Sequence, residues 1–231
     1  MSLILCIESA TSVCSVALAS GGEMLACKEE NARNTHAEHI TLFIQDVMKQ
    51  GGKNLKELDA VAVSMGPGSY TGLRIGVSTA KGLCYALDKP LIAIPTLKSM
   101  TWGFANSKQE TVNHKPILFC PMIDARRMEV YCAIYDEELK EIRKTAAEII
   151  TENSFSELLK DNRVIFFGDG AVKCKEVLSH QANAVFIENF SPSAEYMIAI
   201  ADEKFTEKQF EDVALFEPYY LKDFVPGASK T

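Results

Sequence analysis

One order of elements occurs twice along the chain, and this repeat restricts the possible folds more than any other feature. Near the N-terminus, residues 3–8 form a short apolar run, 13–19 follow after a polar turn, and Gly21-Gly22 marks a hairpin into 24–30. Thr35-His36-Ala37-Glu38 has capping-box spacing, with Thr35 as N-cap. The helix it opens carries Ile40, Phe43, Ile44, Val47 and Met48 on one face until Gly51-Gly52 stops it. A strand over 60–64, the turn Gly66-Pro67-Gly68, a helix over 70–87, a strand over 91–94 and a helix of about ten residues complete the first half.

The second half repeats the order. Residues 117–123 are apolar, Met128 to Ile134 alternate, and Glu137-Glu138 precede 142–150. A short helix over 154–160, a strand over 164–167, the turn Gly168-Asp169-Gly170 into a helix through Leu178, and a strand over 184–187 follow. Ser191-Pro192-Ser193 opens a final helix. Ile7-Glu8 and Ile123-Asp124 are each followed, at one offset, by an alternating strand (Ala17-Leu18 and Ala133-Ile134). The pattern predicts an α/β fold of duplicated ribonuclease H-like, actin-like ATPase type with a reduced second domain. The expected division is 1–106 and 107–231, at the polar stretch Asn106-Ser107-Lys108-Gln109 and Asn113-His114-Lys115, with the last helix free to pack back on the first domain.

At 231 residues the chain is long enough to bury a core without disulfides or metals. Its net charge of −7 argues against a freestanding nucleic-acid binder, because phosphate affinity needs clustered cations. A subunit of an RNA-directed machine stays open. No apolar run approaches the roughly 20 residues of a membrane span, and the N-terminus lacks a basic leader region. Seven cysteines without a CxxC pair read as free buried thiols in a reducing cytoplasm.

Candidate chemistry is sparse. In an actin-like ATPase the first strand ends in an acid, and the turns beyond it cradle phosphates. Glu8, Ser9 and Thr11 occupy the first such position without a glycine, and Gly168, Asp169 and Gly170 occupy the second. They are a possible vestigial nucleotide site. His36 and His39 lie three apart in a first helical turn, a spacing able to hold a metal but without a third ligand; packing or capping is the simpler reading. His114 and His180 sit in polar surroundings. Arg126-Arg127 beside Asp124 reads as a solvated cluster, and its sequence leaves open whether it meets a partner.

Gly68, Gly72, Gly76 and Ala80 recur every four residues, followed by Cys84. Mid-helix glycines cost about 1 kcal/mol each against alanine, so the small ridge must let something approach closely. The approaching element is either internal or a partner's helix, and Tyr70, Leu73, Arg74 and Val77 are candidate anchors.

The segments ILCIESATSVCSVAL, THAEHI, GPGSYTGLRIGVSTAKGL with KPLIAIPTL, IDARRMEVYCAIY, the GDG turn and PYYLK resemble, in order and over essentially the whole chain, the TsaB (YeaZ) family of bacterial tRNA threonylcarbamoyladenosine biosynthesis subunits. The resemblance implies a non-catalytic, cytoplasmic scaffold that heterodimerises with its catalytic paralogue TsaD, pairs with itself when TsaD is missing, works with the ATPase TsaE, and meets tRNA only through the complex. TsaD carries a metal-binding HxxxH where this chain reads Pro95-Thr96-Leu97-Lys98-Ser99-Met100. The resemblance implies no catalytic and no metal-binding residue here, and ATP or ADP only weakly bound or held within the complex. It places the partner interface at His36, His39, Ile40, Phe43, Tyr70, Gly72, Leu73, Arg74, Gly76, Val77, Ala80 and Leu83. Glu8 departs from the aspartate frequent in the family. An autonomous enzyme, either kinase-like or an M22-type metallopeptidase, is the alternative.

Overall fold

The computed structural model describes residues 1–31, 36–107 and 116–222. The first sheet is built from β1 (Leu3–Glu8), β2 (Val13–Ser20), β3 (Glu23–Asn31), β4 (Ala60–Gly66) and β5 (Leu91–Pro95), in spatial order β3-β2-β1-β4-β5. β1 to β3 form an antiparallel meander, whereas β4 and β5 join in parallel through the crossover helices α1 (His36–Gln50) and α2 (Tyr70–Leu87). The second sheet has the same plan: β6 (Ile117–Asp124), β7 (Glu129–Tyr135), β8 (Glu141–Ile149), β9 (Arg163–Phe167) and β10 (Ala184–Ile187), in order β10-β9-β6-β7-β8. Its crossovers are α4 (Ser156–Asp161) and α5 (Asp169–Leu178), and α3 (Thr96–Asn106) leads from one sheet to the other. The duplicated ribonuclease H-like topology expected from the sequence is therefore present. The Thr35 cap, residues 108–115 of the expected boundary and His114 lie outside the described residues.

Each face of the first sheet has its own core. Leu5, Ile7, Val61, Val63 and Leu91 point at α1 and α2 and meet Ile40, Phe43, Val47 and Val77. Ile4, Cys6, Ala62, Ile92 and Ile94 point the other way, against Met197, Ile198 and Ile200. Strands covered on both faces read as continuous apolar runs rather than alternating ones, and each buried aliphatic side chain contributes about 1.5–3 kcal/mol. The final helix begins as a 3-10 turn at Ala194–Met197 before α6 (Ile198–Thr206), with Ser193 as cap. Ser193 Oγ donates to Glu29 (2.8 Å) and Ala194 N–H donates to Ser15 Oγ (3.0 Å), which docks this segment on the first sheet.

After α6 the chain runs back along α2 as a strap. Lys81 donates to the carbonyls of Ala214 (3.1 Å) and Phe216 (2.8 Å), and Tyr219 N–H donates to the Met65 carbonyl (2.7 Å). Lys222 then pairs with Glu129, at the start of β7 on the second sheet.

Candidate functional site

The parallel strands of each sheet end where an actin-like fold would hold a nucleotide. At the first of these two ends, Glu8 is fully buried. Its Oε1 accepts the Ala10 N–H (2.6 Å), and Oε2 has no hydrogen-bond partner. Burial pushes its carboxyl up to about 7. Ser9 N–H donates to Ser64 Oγ (3.3 Å), Val13 N–H to Thr11 Oγ1 (3.3 Å), and Ser69 N–H to the Ala10 carbonyl (2.6 Å). The amides of Ser9, Ala10, Val13 and Ser69 are thus already bonded within the chain.

The glycine ridge of α2 explains why this end is closed. A Cβ on Gly72 would lie 2.1 Å from the Ser9 carbonyl oxygen, one on Gly76 would lie 2.1 Å from Ser9 Oγ, and one on Gly68 would lie 2.3 Å from the Ala10 carbonyl oxygen. Of the two readings left open by the four-residue spacing, the internal one holds, because the ridge presses on the turn after β1. Ser69 caps the helix, accepting from Gly72 N–H (3.3 Å), and Asp88 ends it in the left-handed conformation.

This packing buries much of the expected partner surface: Gly72, Leu73, Gly76, Val77 and Ala80 lie inside the chain. His36, Ile40 and Phe43 are buried too, with His36 Nε2 3.2 Å from the Val13 carbonyl oxygen. His39 is half-buried, its Nδ1 3.4 Å from Glu30 Oε2 and its ring 5.5 Å from that of Phe43. The two histidines do not converge. Leu83 packs partly on the core. Arg74 is exposed but lies over Tyr70 (4.2 Å) and donates from Nε to Tyr220 of the strap (3.3 Å). The outward faces of the two helices instead carry Leu42, Thr71, Ser78, Gly82 and Tyr85, with Tyr85 87% exposed. The sequence reading missed these residues. Stepping by three or four from Arg74 would have found Ser78, Gly82 and Tyr85.

The second strand end is closed at its turn by the same device. Gly168 (φ +100°) and Gly170 press on β6: added Cβ atoms would lie 2.3 Å from the Met122 carbonyl oxygen and 2.9 Å from the Ile123 carbonyl carbon. Asp169 Oδ1 accepts the Asp124 N–H (3.0 Å), and partial desolvation of its carboxyl raises its pKa. Asp124 is exposed, pairs with Lys173 and accepts the Arg126 N–H (2.8 Å).

The HxxxH position lies at the β5–α3 junction. Thr96, Leu97, Ser99 and Met100 are buried there, Leu97 and Met100 in one apolar cluster with Phe104, Phe119 and Phe167. Met100 and Thr96 do not replace two imidazoles as ligands of a transition metal. No group of three His, Cys, Asp or Glu able to hold a metal occurs among the described residues. The residues do not fit the metal that the superfamily implies. The cysteines are free, six of the seven buried. No helix among the described residues is long and apolar enough to cross a membrane.

Comparison with known proteins supplies the family. The profile "TsaD: tRNA N6-adenosine threonylcarbamoyltransferase" matches residues 29–225. The tRNA threonylcarbamoyladenosine biosynthesis protein TsaB of Escherichia coli is 32% identical over 228 residues, covering 96% of this chain and 95% of that protein. The tRNA N6-adenosine threonylcarbamoyltransferase of Geobacillus kaustophilus is 46% identical over only 65 residues, 28% of this chain and 19% of that protein. The solved structure of YeaZ from Pseudomonas aeruginosa superposes with a TM-score of 0.79 at 24% identity, over 96% of this chain and 100% of that one, and so shares the fold. By its curated relatives and its fold, the chain belongs to the TsaB (YeaZ) family of tRNA threonylcarbamoyladenosine biosynthesis proteins.

Proposed function

We propose that this chain is a non-catalytic, cytoplasmic subunit of the assembly that forms threonylcarbamoyladenosine on tRNA, and that it acts by pairing with a catalytic paralogue of the TsaD type. One observation carries this reading. The β5–α3 junction, where the paralogue holds its metal, is an apolar core containing Met100 and Leu97. A chain that fills the metal site with packing side chains contributes by shape, and a partner that binds only the competent state of an enzyme raises activity without supplying chemistry. The same buried junction, and the bonded amides after β1, disfavour the autonomous kinase or metallopeptidase reading.

The pairing surface we assign is the outward face of α1 and α2, with Leu42 and Tyr85 as the exposed apolar anchors. The same face serves a homodimer when the paralogue is missing, and the ATPase TsaE joins the assembled pair. Any ATP or ADP is bound by the complex rather than by this chain alone. Titration of the chain with TsaD in a calorimeter tests the assignment. A one-to-one heterodimer is expected, weakened at least tenfold by Tyr85→Asp, a cost of about 1.4 kcal/mol or more. Equal affinity for the variant would remove the face, and no association at all would remove the reading.

A further inference from the structure

We propose that the turn between β6 and β7 is an RNA-backbone contact, in which Arg126 and Arg127 hold phosphodiester oxygens; this rests on the reading of the chain as a subunit that works on tRNA. The turn is closed by Ala125 N–H to the Glu129 carbonyl (3.1 Å) and Glu129 N–H to the Arg126 carbonyl (3.2 Å). Both arginines sit in the left-handed region (φ +70° and +51°), which side chains larger than Asn or Asp seldom occupy, and both are exposed. Strain of this kind persists where the surrounding structure imposes it, and it gathers at functional positions.

The carboxylates that would ordinarily neutralise these arginines are already engaged. Asp124 is taken by Lys173 and Glu129 by Lys222, and Asp169 caps the Asp124 amide. Neither Arg126 nor Arg127 has an ion pair among the described residues. On a chain of net charge −7, a turn tip with two guanidinium groups that have no ion pair among the described residues invites an anion. Guanidinium forks match phosphate oxygens two at a time and keep their charge at any physiological pH.

An extended RNA fits better than an isolated phosphate or an acidic peptide because the strap joins this turn to a second exposed arginine, Arg74, and two tyrosine rings. Lys222 lies beside Glu129, and two residues back, at most about 7 Å along the chain, Tyr220 meets Arg74 and Tyr70. Arg74 likewise has no ion pair among the described residues; Glu217 is its nearest acidic influence. Alternating cations and aromatic faces suit a sugar–phosphate backbone with stacked bases.

The test is filter binding of in vitro transcribed tRNA to the chain alone and to its complex with the transferase, over a range of salt, with calorimetry of the transferase on the same samples. The variant Arg126→Asn with Arg127→Gly removes both guanidinium groups while suiting the positive φ angles, so loss of the turn does not explain its behaviour. The expected result is RNA affinity lower by about tenfold or more and a salt slope reduced by about two, with transferase affinity unchanged. An unchanged RNA affinity and slope would overturn the inference. So would loss of transferase affinity with RNA retention intact, which would make the arginines a protein contact, or displacement of the RNA by micromolar ATP. If the wild-type chain fails to bind the transferase, the proposed function falls, and the salt slope of the chain alone still decides this inference.

Discussion

The two halves share one packing device but leave their strand ends in opposite states. In both, glycines of a strand–turn–helix junction press on the end of the first strand of the sheet: Gly68, Gly72 and Gly76 on Ser9 and Ala10, Gly168 and Gly170 on Met122 and Ile123. In the first half the terminal carboxylate, Glu8, is sealed from water with one oxygen unpartnered. In the second half its counterpart, Asp124, stands in solvent among Lys173, Arg126 and Arg127. The crossover helices differ as well: α1 and α2 run 15 and 18 residues, α4 and α5 only 6 and 10. Duplication preserved the scaffold, while the first half kept long helices with an exposed outer face and the second kept exposed charge.

The largest expected effect comes from breaking the shared device. Gly76→Leu drives a branched side chain into Ser9, where even a Cβ would be too close. A loss of about 3 kcal/mol is expected, because Ser9 is fully buried and its side chain has little room to move aside. Urea unfolding measures it. A folded variant of wild-type stability would show that α2 does not lie on the β1–β2 turn.

Glu8→Gln sharpens the contrast between buried and exposed acids. The native carboxyl titrates near 7, against 4.5 for the ordinary group. The native state therefore binds its proton more tightly than the unfolded chain. The stability this supplies is complete below about pH 4.5, declines as pH rises, and is gone above about pH 7, a change on the order of 3 kcal/mol. The amide, which never ionises, should flatten that part of the profile. Thermal melts of both proteins from pH 4.5 to 8 provide the measurement, and parallel profiles would mean that Glu8 is not buried as described.

The smallest effect concerns Gly82, one of α2's four-residue steps away from Ser78 but off the ridge. A Cβ there meets nothing within 4 Å. Gly82→Ala is therefore expected to stabilise by about 0.5–1 kcal/mol, the gain of alanine over glycine in a helix. Destabilisation would put a close neighbour at that position.

Much of this was legible in the residues. The turn Gly66-Pro67-Gly68 marked the start of α2, and the apolar face 40–48 the buried side of α1, whereas Ser69 as the cap is visible only in the structure. The spacing of Gly72 and Gly76 announced a close approach, but not its partner. That partner, Ser9, lies more than sixty positions earlier in the sequence and is brought near only by the parallel pairing of β1 with β4. Residues that looked like interface anchors, Leu73 and Val77, are core because one helix stripe serves either purpose until its neighbour is known. The strap from Asp212 to Lys222 lacks periodicity, so apart from the family segment PYYLK it gave no sign of its course along α2. Nor did Arg126 and Arg127 suggest their left-handed backbone, since arginine, unlike glycine or asparagine, does not mark it.

The most direct test of the central claim is reconstituted threonylcarbamoyl transfer to tRNA from an activated threonylcarbamoyl donor, with the metal-loaded transferase, TsaE and ATP, with and without this chain. The account predicts no product from the chain alone and a large gain in transfer when it joins the other two. It also predicts that Thr96→Ala and Met100→Leu leave that gain within about twofold, since packing rather than ligation occupies the β5–α3 junction. Product formed by the chain without the transferase, or loss of the gain in these folded variants, would contradict it.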